Sequence, residues 1–563
     1  MHLIKLCVAA AALVAAVPAG TQERGPNSCC SALSTILPGK VITEASNDTA
    51  YTAMGKTYAS SRAGDLQPGC FVLPENAQDV AAAVGLLGQD RWTRVDECKF
   101  AVRAGGHTPW PGANNIERGV TIDLSKLKEV TPSPDRSWLA VGAGNRWLEV
   151  YSKIEPLGLA VSGGRWGNVG VGGLLTGGGL SFFQGREGPA CDGVLRHEVI
   201  LANGTIIYAD RTQHADLHRA LKGGNNNVGI VTRFDLKLFP QGPIFGGLLM
   251  SALPKQKSLQ WFEDFANSSR TDSRAMVMYG YFNALGQWFS GGLATYSEPD
   301  PNPPIFRPLL EAPVTAAALL GGFNISAFLP AWLLPAGTPA PAAGTPIQTG
   351  SNPALMPEGG FALPATMNIT SYAAIAEANA RSTPAGATGG LMRSLFSTFS
   401  HANSATYQDA LLKLHDEWQR KLPFLAGGGL IFQPLWRGAR DASAAASGGN
   451  VLGLEWEGRD IVIVLVQIGW VGQGNDDAVR EWSRGFIKAA QDLAKTMGVY
   501  SPYVYANYAA EWQDVIGGYG EEARAHLERV SKLYDPKGVF QKRVPGGFKL
   551  RRTEGDWAQF EGR

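Results

Sequence analysis

Between Cys70 and Pro240 short apolar runs alternate with glycine turns, and few stretches carry the 3.6-residue spacing of a helix. Residues 119–124, 139–142 and 197–201 read as strands. Residues 76–87 read as a helix that places Val80, Val84 and Leu87 on one face. Asn203-Gly204 between two apolar runs predicts a tight hairpin. After Pro240 the pattern changes: residues 245–253 and 276–289 predict strands and 258–267 a helix. Further on come an amphipathic helix at 407–421, a buried strand at 461–470 and a helix at 477–497 stopped by Gly498. A Pro/Ala/Gly-rich stretch from about 298 to 366, interrupted by the more apolar 319–334, predicts irregular loops. The sum is an α+β chain with mixed connections, no regular βαβ alternation and no internal repeat.

At 563 residues the chain exceeds what one core supports, so two or more domains are expected. Its 45% hydrophobic and 18% charged residues are those of a globular protein. A formal net charge of +1 with no basic run argues against nucleic acid or an anionic membrane as the main partner. The 69 glycines and 15 tryptophans suit a loop-rich fold around a flat aromatic ligand.

The first 19 residues have the layout of a secretory signal peptide, with an apolar run from Leu6 to Val17 and cleavage expected after Ala19. The run is shorter than the roughly 20 apolar residues of a membrane span. Asn47, Asn203, Asn267, Asn324 and Asn368 open N-x-Ser/Thr sequons, as in a secreted glycoprotein. Five cysteines remain after cleavage, so at least one thiol has no partner within the chain.

Three glycine clusters carry the candidate chemistry. The first, Arg103-Ala104-Gly105-Gly106-His107, follows a short apolar run and ends in an imidazole that phosphate binding does not need. The second runs from Ser162 to Gly179, and the third from Ala220 to Thr232. None matches a Rossmann fingerprint or a P-loop, because Leu175 stands where the last glycine of G-x-G-x-x-G is needed and no Gly-Lys-Ser/Thr follows. His214 and His218 share a helix face, but without a third ligand they read as a solvated face, so no metal is expected. No G-x-S-x-G elbow supports a serine hydrolase.

Together the clusters resemble the FAD-linked oxidases of the berberine-bridge-enzyme type, which have a PCMH-type (vanillyl-alcohol-oxidase) fold. Arg103–His107 matches that family's R-x-G-G-H loop, residues 223–232 its G-G-x-N-x-G-I-V-T segment, and 505–509, 534–540 and 545–549 its C-terminal motifs. The resemblance implies a two-subdomain FAD-binding domain and a substrate domain whose antiparallel sheet is covered by helices. The expected boundaries are an N-terminal extension at 20–65, an FAD domain at 66–245 and a substrate domain at 246–499. A C-terminal segment at 500–550 returns to the FAD domain, and 551–563 form a tail.

The family implies FAD bonded through its 8α-methyl to His107. Arg103, Ala104, Gly105, Gly106 and Thr108 would accompany His107 around the cofactor. So would Gly164, Val169, Gly170, Gly172, Gly173, Gly177 and Gly178 from the second cluster, Gly229, Ile230 and Val231 from the third, and Asn507. Trp166 stands where bicovalent members carry a second flavin-bonding Cys, so one covalent bond is expected. Val169 occupies the oxygen-gating position, where a small residue goes with use of O2. The Asn507-Tyr508 pair makes Tyr508 the candidate catalytic base, with Tyr505, Tyr503 or an acid from the substrate domain as alternatives. Cys29 or Cys30 is expected to bond Cys98, and Cys70 to bond Cys191.

The activity implied is a fungal secondary-metabolite oxidase. It would perform alcohol oxidation, dehydrogenation or oxidative cyclisation of a small molecule, with O2 as acceptor and H2O2 as product. A secreted oligosaccharide oxidase and a non-catalytic flavin-binding protein are the alternatives.

Overall fold

The computed structural model describes residues 28–92, 95–251, 253–268, 272–284, 287–311, 367–381, 392–422 and 427–551. The signal-peptide segment, the Asn324 sequon, most of the Pro/Ala/Gly-rich stretch including 319–334, and the last 12 residues lie outside the described residues.

One half of the molecule is built on two main sheets, with a two-stranded pair of Leu159–Ala160 and Phe239–Pro240 beside them. In the first, Val41–Ile42, Cys70–Val72, Val120–Asp123 and Phe100–Arg103 lie side by side in that order. The last three run parallel, so both faces must be covered, and their residues are almost all buried. The second sheet is antiparallel, in the order Val130–Pro132, Trp138–Gly142, Ile230–Lys237, Val194–Ile200, Ile206–Asp210. Its last two strands form the hairpin expected at Asn203-Gly204, where Gly204 takes φ +83°. The helix Ala77–Leu87 starts on Asn76, whose side chain accepts from the Asp79 N–H, and buries Val80, Val84 and Leu87.

The other half is one eight-stranded antiparallel sheet. Its central strands are Gln287–Tyr296, Ala275–Ala284, Gly427–Leu435, Ile461–Val471 and Met392–Ala402. Residues 276–289, expected as a single strand, span a hairpin of two, Ala275–Ala284 and Gln287–Tyr296. An unbroken apolar run does not reveal where a chain reverses. Helices Lys255–Ser268, Ala405–Gln419 and Asp476–Thr496 pack on one face. Strand alternation decides what meets them: Val277, Leu395, Phe399, Leu430, Val464 and Val466 point to the helices. Met278, Phe396, Ile431, Leu465 and Gln467 point the other way, into a cavity.

Residues 28–65 are built into the glycine-rich half, not appended to it. Val41–Ile42 joins its first sheet, and the helix Ser28–Ile36 is bonded to it twice, Cys29 to Cys98 and Cys30 to Cys70. The expected Cys70–Cys191 bond is therefore absent. Adjacent cysteines at the start of one helix reach both Cys70 and Cys98, whereas Cys191 is a free buried thiol beneath the turn at Gly178, whose carbonyl its N–H contacts at 2.7 Å. Among the described residues no helix is long and apolar enough to cross a membrane.

His214 and His218 do not form the solvated face expected of them. His214 Nδ1 meets the Tyr534 hydroxyl at 3.0 Å, while His218 is buried with its Nδ1 3.0 Å from that of His197. One of these two nitrogens must donate and the other accept, so the two rings are not both charged. Burial, with the Lys222 charge, holds His218 down at about 4, and burial with the neighbouring His218 holds His197 well below the usual range. The unfolded chain therefore binds more protons below about pH 6.5, and folded stability is complete above that pH and falls as pH drops toward 4. Each such histidine contributes a slope of up to about 1.4 kcal/mol per pH unit. Thermal unfolding across that window should give a falling Tm, and His218→Asn should flatten the fall; an unchanged slope would argue that the pair is charged.

Candidate active site

The three glycine clusters meet the free face of the eight-stranded sheet around a cavity of about 390 Å³, within the roughly 300–1,000 Å³ of small-molecule sites.

Strand Phe100–Arg103 delivers the first loop, and Ala104, Gly105, Gly106, His107 and Thr108 all line the cavity. Gly105 touches Gly170 of the second cluster backbone to backbone. A Cβ on Gly105 would lie 2.5 Å from Gly170 N, and one on Gly170 would lie 2.4 Å from Gly105 N. Neither position tolerates a side chain. Gly105→Ala should cost about 1–3 kcal/mol through forced separation of the loops. The Tm should fall with it, and a variant of wild-type Tm would refute the close approach.

Arg103 turns away from the cavity. It pairs with Asp123 at 3.2 Å and lies 3.9 Å over the Tyr58 ring, so it braces the loop from behind the cavity wall. Gly106 takes φ +67° above it. At the loop's end, His107 Nε2 is buried with no hydrogen-bond partner. Burial and the Arg146 charge depress the imidazole to about 4, opposed by the Asn168 side chain, so the ring is neutral at physiological pH. An unpartnered buried nitrogen beside a cavity is costly unless a ligand meets it.

From the second cluster, Val169, Gly170, Gly172 and Gly173 line the cavity, with Trp166 beside them. Gly164, Gly177 and Gly178 do not. Gly164 gives room to Trp147, whose ring would lie 2.4 Å from an added Cβ, and Gly177 gives room to the Asn507 amide at 2.2 Å. Gly178, at φ +105°, turns the chain beneath Leu452 and Tyr505. These three serve packing behind the wall. Gly229, Ile230 and Val231 line the cavity, as does Asn507, whose amide donates to Leu174 O and the Tyr505 hydroxyl at 3.1 Å each.

Tyr508 also lines the cavity. Its hydroxyl donates to Gln433 Oε1 at 3.1 Å and accepts from Arg165 Nη2 at 2.8 Å. Of the alternatives, Tyr503 is stacked on Tyr519 outside the cavity, and burial pushes the phenols of both Tyr503 and Tyr505 up. Glu511 points away and is held by Arg62 and Arg480, and Gln513 is pinned to the Thr398 backbone. Among the described residues no Asp, Glu or Lys lines the cavity.

Sequence reasoning missed Arg165, Gln433 and the sheet residues Met278, Phe396, Ile431, Leu465 and Gln467. Alternation within the 461–470 run marks Leu465 and Gln467 as sharing a face, but nothing local says that this face meets a cavity. Arg165 sits beside the Trp166 position and was legible as the lone charge in its glycine cluster.

Residues 68–210 match the FAD binding domain family. The chain is 34% identical to the FAD-dependent monooxygenase tpcD of Cochliobolus heterostrophus, over 86% of this chain and 85% of that protein. It is 32% identical to the FAD-dependent monooxygenase drtC of Aspergillus calidoustus, over 93% and 90%. The chain belongs to the FAD-linked oxidoreductases of the berberine-bridge-enzyme type. Solved structures share this fold. The glucooligosaccharide oxidase of Acremonium strictum superposes at a TM-score of 0.66 with 17% identity, covering 95% of this chain and all (100%) of that one. A berberine bridge enzyme variant superposes at 0.63 with 15% identity, over 91% and 98%. This berberine-bridge-type protein is thus an FAD-dependent oxidoreductase, and its backbone-walled loops and orphaned imidazole fit that cofactor.

Proposed function

We propose that this berberine-bridge-type chain is a secreted, monocovalent flavin oxidase. It would take electrons from a small organic molecule by alcohol oxidation, dehydrogenation or oxidative cyclisation, and pass them to O2. The observation that carries this reading is His107: a neutral imidazole on the cavity wall whose Nε2 is buried without a hydrogen-bond partner, at the end of a loop whose Gly105 cannot bear a side chain. Neutrality is what a histidine needs to bond carbon as a nucleophile. With Trp166 on the cavity wall where bicovalent members carry a cysteine, a second tether would be absent. When bound, FAD supplies the electron sink that accepts hydride from substrate and surrenders it to oxygen.

The chain supplies the rest. Tyr508 would take the substrate's proton, with Gln433 and Arg165 fixing its oxygen. Phe396, Ile431, Leu465 and Trp166 would exclude water around the reacting groups. Val169, on the cavity wall, would leave room for O2. Secretion is supported by two disulfides and by the four described sequon asparagines, all exposed.

A panel of alcohols, phenols and oligosaccharides assayed in air should give one H2O2 per substrate oxidised. The relatives' names favour a second reading, oxygen insertion, which would instead place label from 18O2 in the product without stoichiometric peroxide.

A further inference from the structure

Arg165 is 4% exposed and lines the cavity, yet none of its partners carries a negative charge. Its Nη2 donates to Gln433 Oε1 at 2.5 Å and to the Tyr508 hydroxyl at 2.8 Å, and its Nη1 lies 3.8 Å from Met276 Sδ. Among the described residues it is the only permanently charged side chain on the cavity wall. A guanidinium taken out of water is retained where a counter-charge meets it, and among the described residues no carboxylate does so, the Tyr508 hydroxyl being its one ionisable partner. Neutral partners orient the group without neutralising it. The backbone is fixed as well: Asn379 Nδ2 donates to Arg165 O at 2.8 Å, and Gly167 N donates to Ala376 O at 2.8 Å. The fork is therefore preorganised, with more N–H donors than its partners use. Around it, Met278, Phe396, Ile431, Leu465 and Trp166 offer apolar and aromatic surface.

We propose that Arg165 determines substrate class by binding an anionic oxygen, a carboxylate or an ionised phenol or enol, on an aromatic body. The charge missing from the site arrives with the substrate and settles beside the Tyr508 hydroxyl. This rests on the reading of the cavity as the oxidoreductase site, and it adds the sign and shape of what enters.

The test is calorimetric titration of the holoenzyme with benzoate, with its neutral counterpart benzamide, and with 4-nitrophenol above and below its own ionisation. Benzoate should bind at least about tenfold tighter than benzamide. Arg165→Gln should equalise the two, and Arg165→Lys should keep the preference with weaker binding. Tight binding of 4-nitrophenolate extends the class to ionised phenols, and its failure narrows the class to carboxylates. Equal affinity of benzoate and benzamide in the wild type, no binding of either, or a preference surviving in Arg165→Gln overturns the proposal. So does loss of flavin from Arg165→Gln, which would assign the charge to the cofactor. Acid-labile flavin in the wild type would instead sink the covalent reading while leaving the anion preference as measured.

Discussion

His107→Ala gives a folded protein whose flavin is released entirely by acid, whereas the wild-type precipitate stays yellow. The imidazole Nε2 has no hydrogen-bond partner, so truncation breaks no bond at that nitrogen. The turn itself depends on the Gly105–Gly170 approach and on Arg103 behind it, both untouched. The tether, not the fold, is lost. A histidyl bond of the kind proposed would make the flavin a stronger oxidant, so its reduction by substrate should also slow in His107→Ala, by about tenfold or more. Flavin in the wild-type supernatant would refute covalent attachment. A yellow His107→Ala precipitate would move the tether to another residue.

Tyr508→Phe should lower kcat/KM by about 10²–10⁴-fold, the range of a lost acid–base group, without changing flavin content. The phenyl ring keeps its edge contact with Tyr505 at 4.8 Å, so packing on the cavity wall survives. What disappears is the hydroxyl between Arg165 Nη2 and Gln433 Oε1. No neighbour can substitute: the cavity wall among the described residues has no carboxylate, and burial keeps the Tyr505 phenol protonated. Steady-state kinetics on any substrate found in the peroxide screen decide this. A loss of only a few-fold would make Tyr508 a packing residue.

Much of the site was legible along the chain because glycine leaves a local signature. The Arg103–His107 loop, the Val169–Gly173 segment and the Gly229–Val231 segment all reach the cavity. Yet Arg103, Gly164, Gly177 and Gly178 belong to the same motifs and serve behind the wall. A motif records which residues a fold needs, not whether each need is contact with a ligand or room for a tryptophan. The hairpin within 275–296 and the Cys30–Cys70 bond were hidden for a related reason: chain reversal and cysteine pairing depend on what lies nearby in space.

The sequence by itself determined the α+β class, the capped helices, the three glycine loops and the family, because periodicity, caps and glycine act over a few residues. Only the tertiary structure decided which face of the eight-stranded sheet closes the cavity, and that Gln433 and Arg165, 268 residues apart, meet at Tyr508. Pairing across that distance is set by sheet register and by packing of the two halves, neither of which is written in neighbouring residues. Nor could local pattern show that Arg165 is a buried charge with no carboxylate beside it among the described residues, since that follows from what surrounds it in three dimensions.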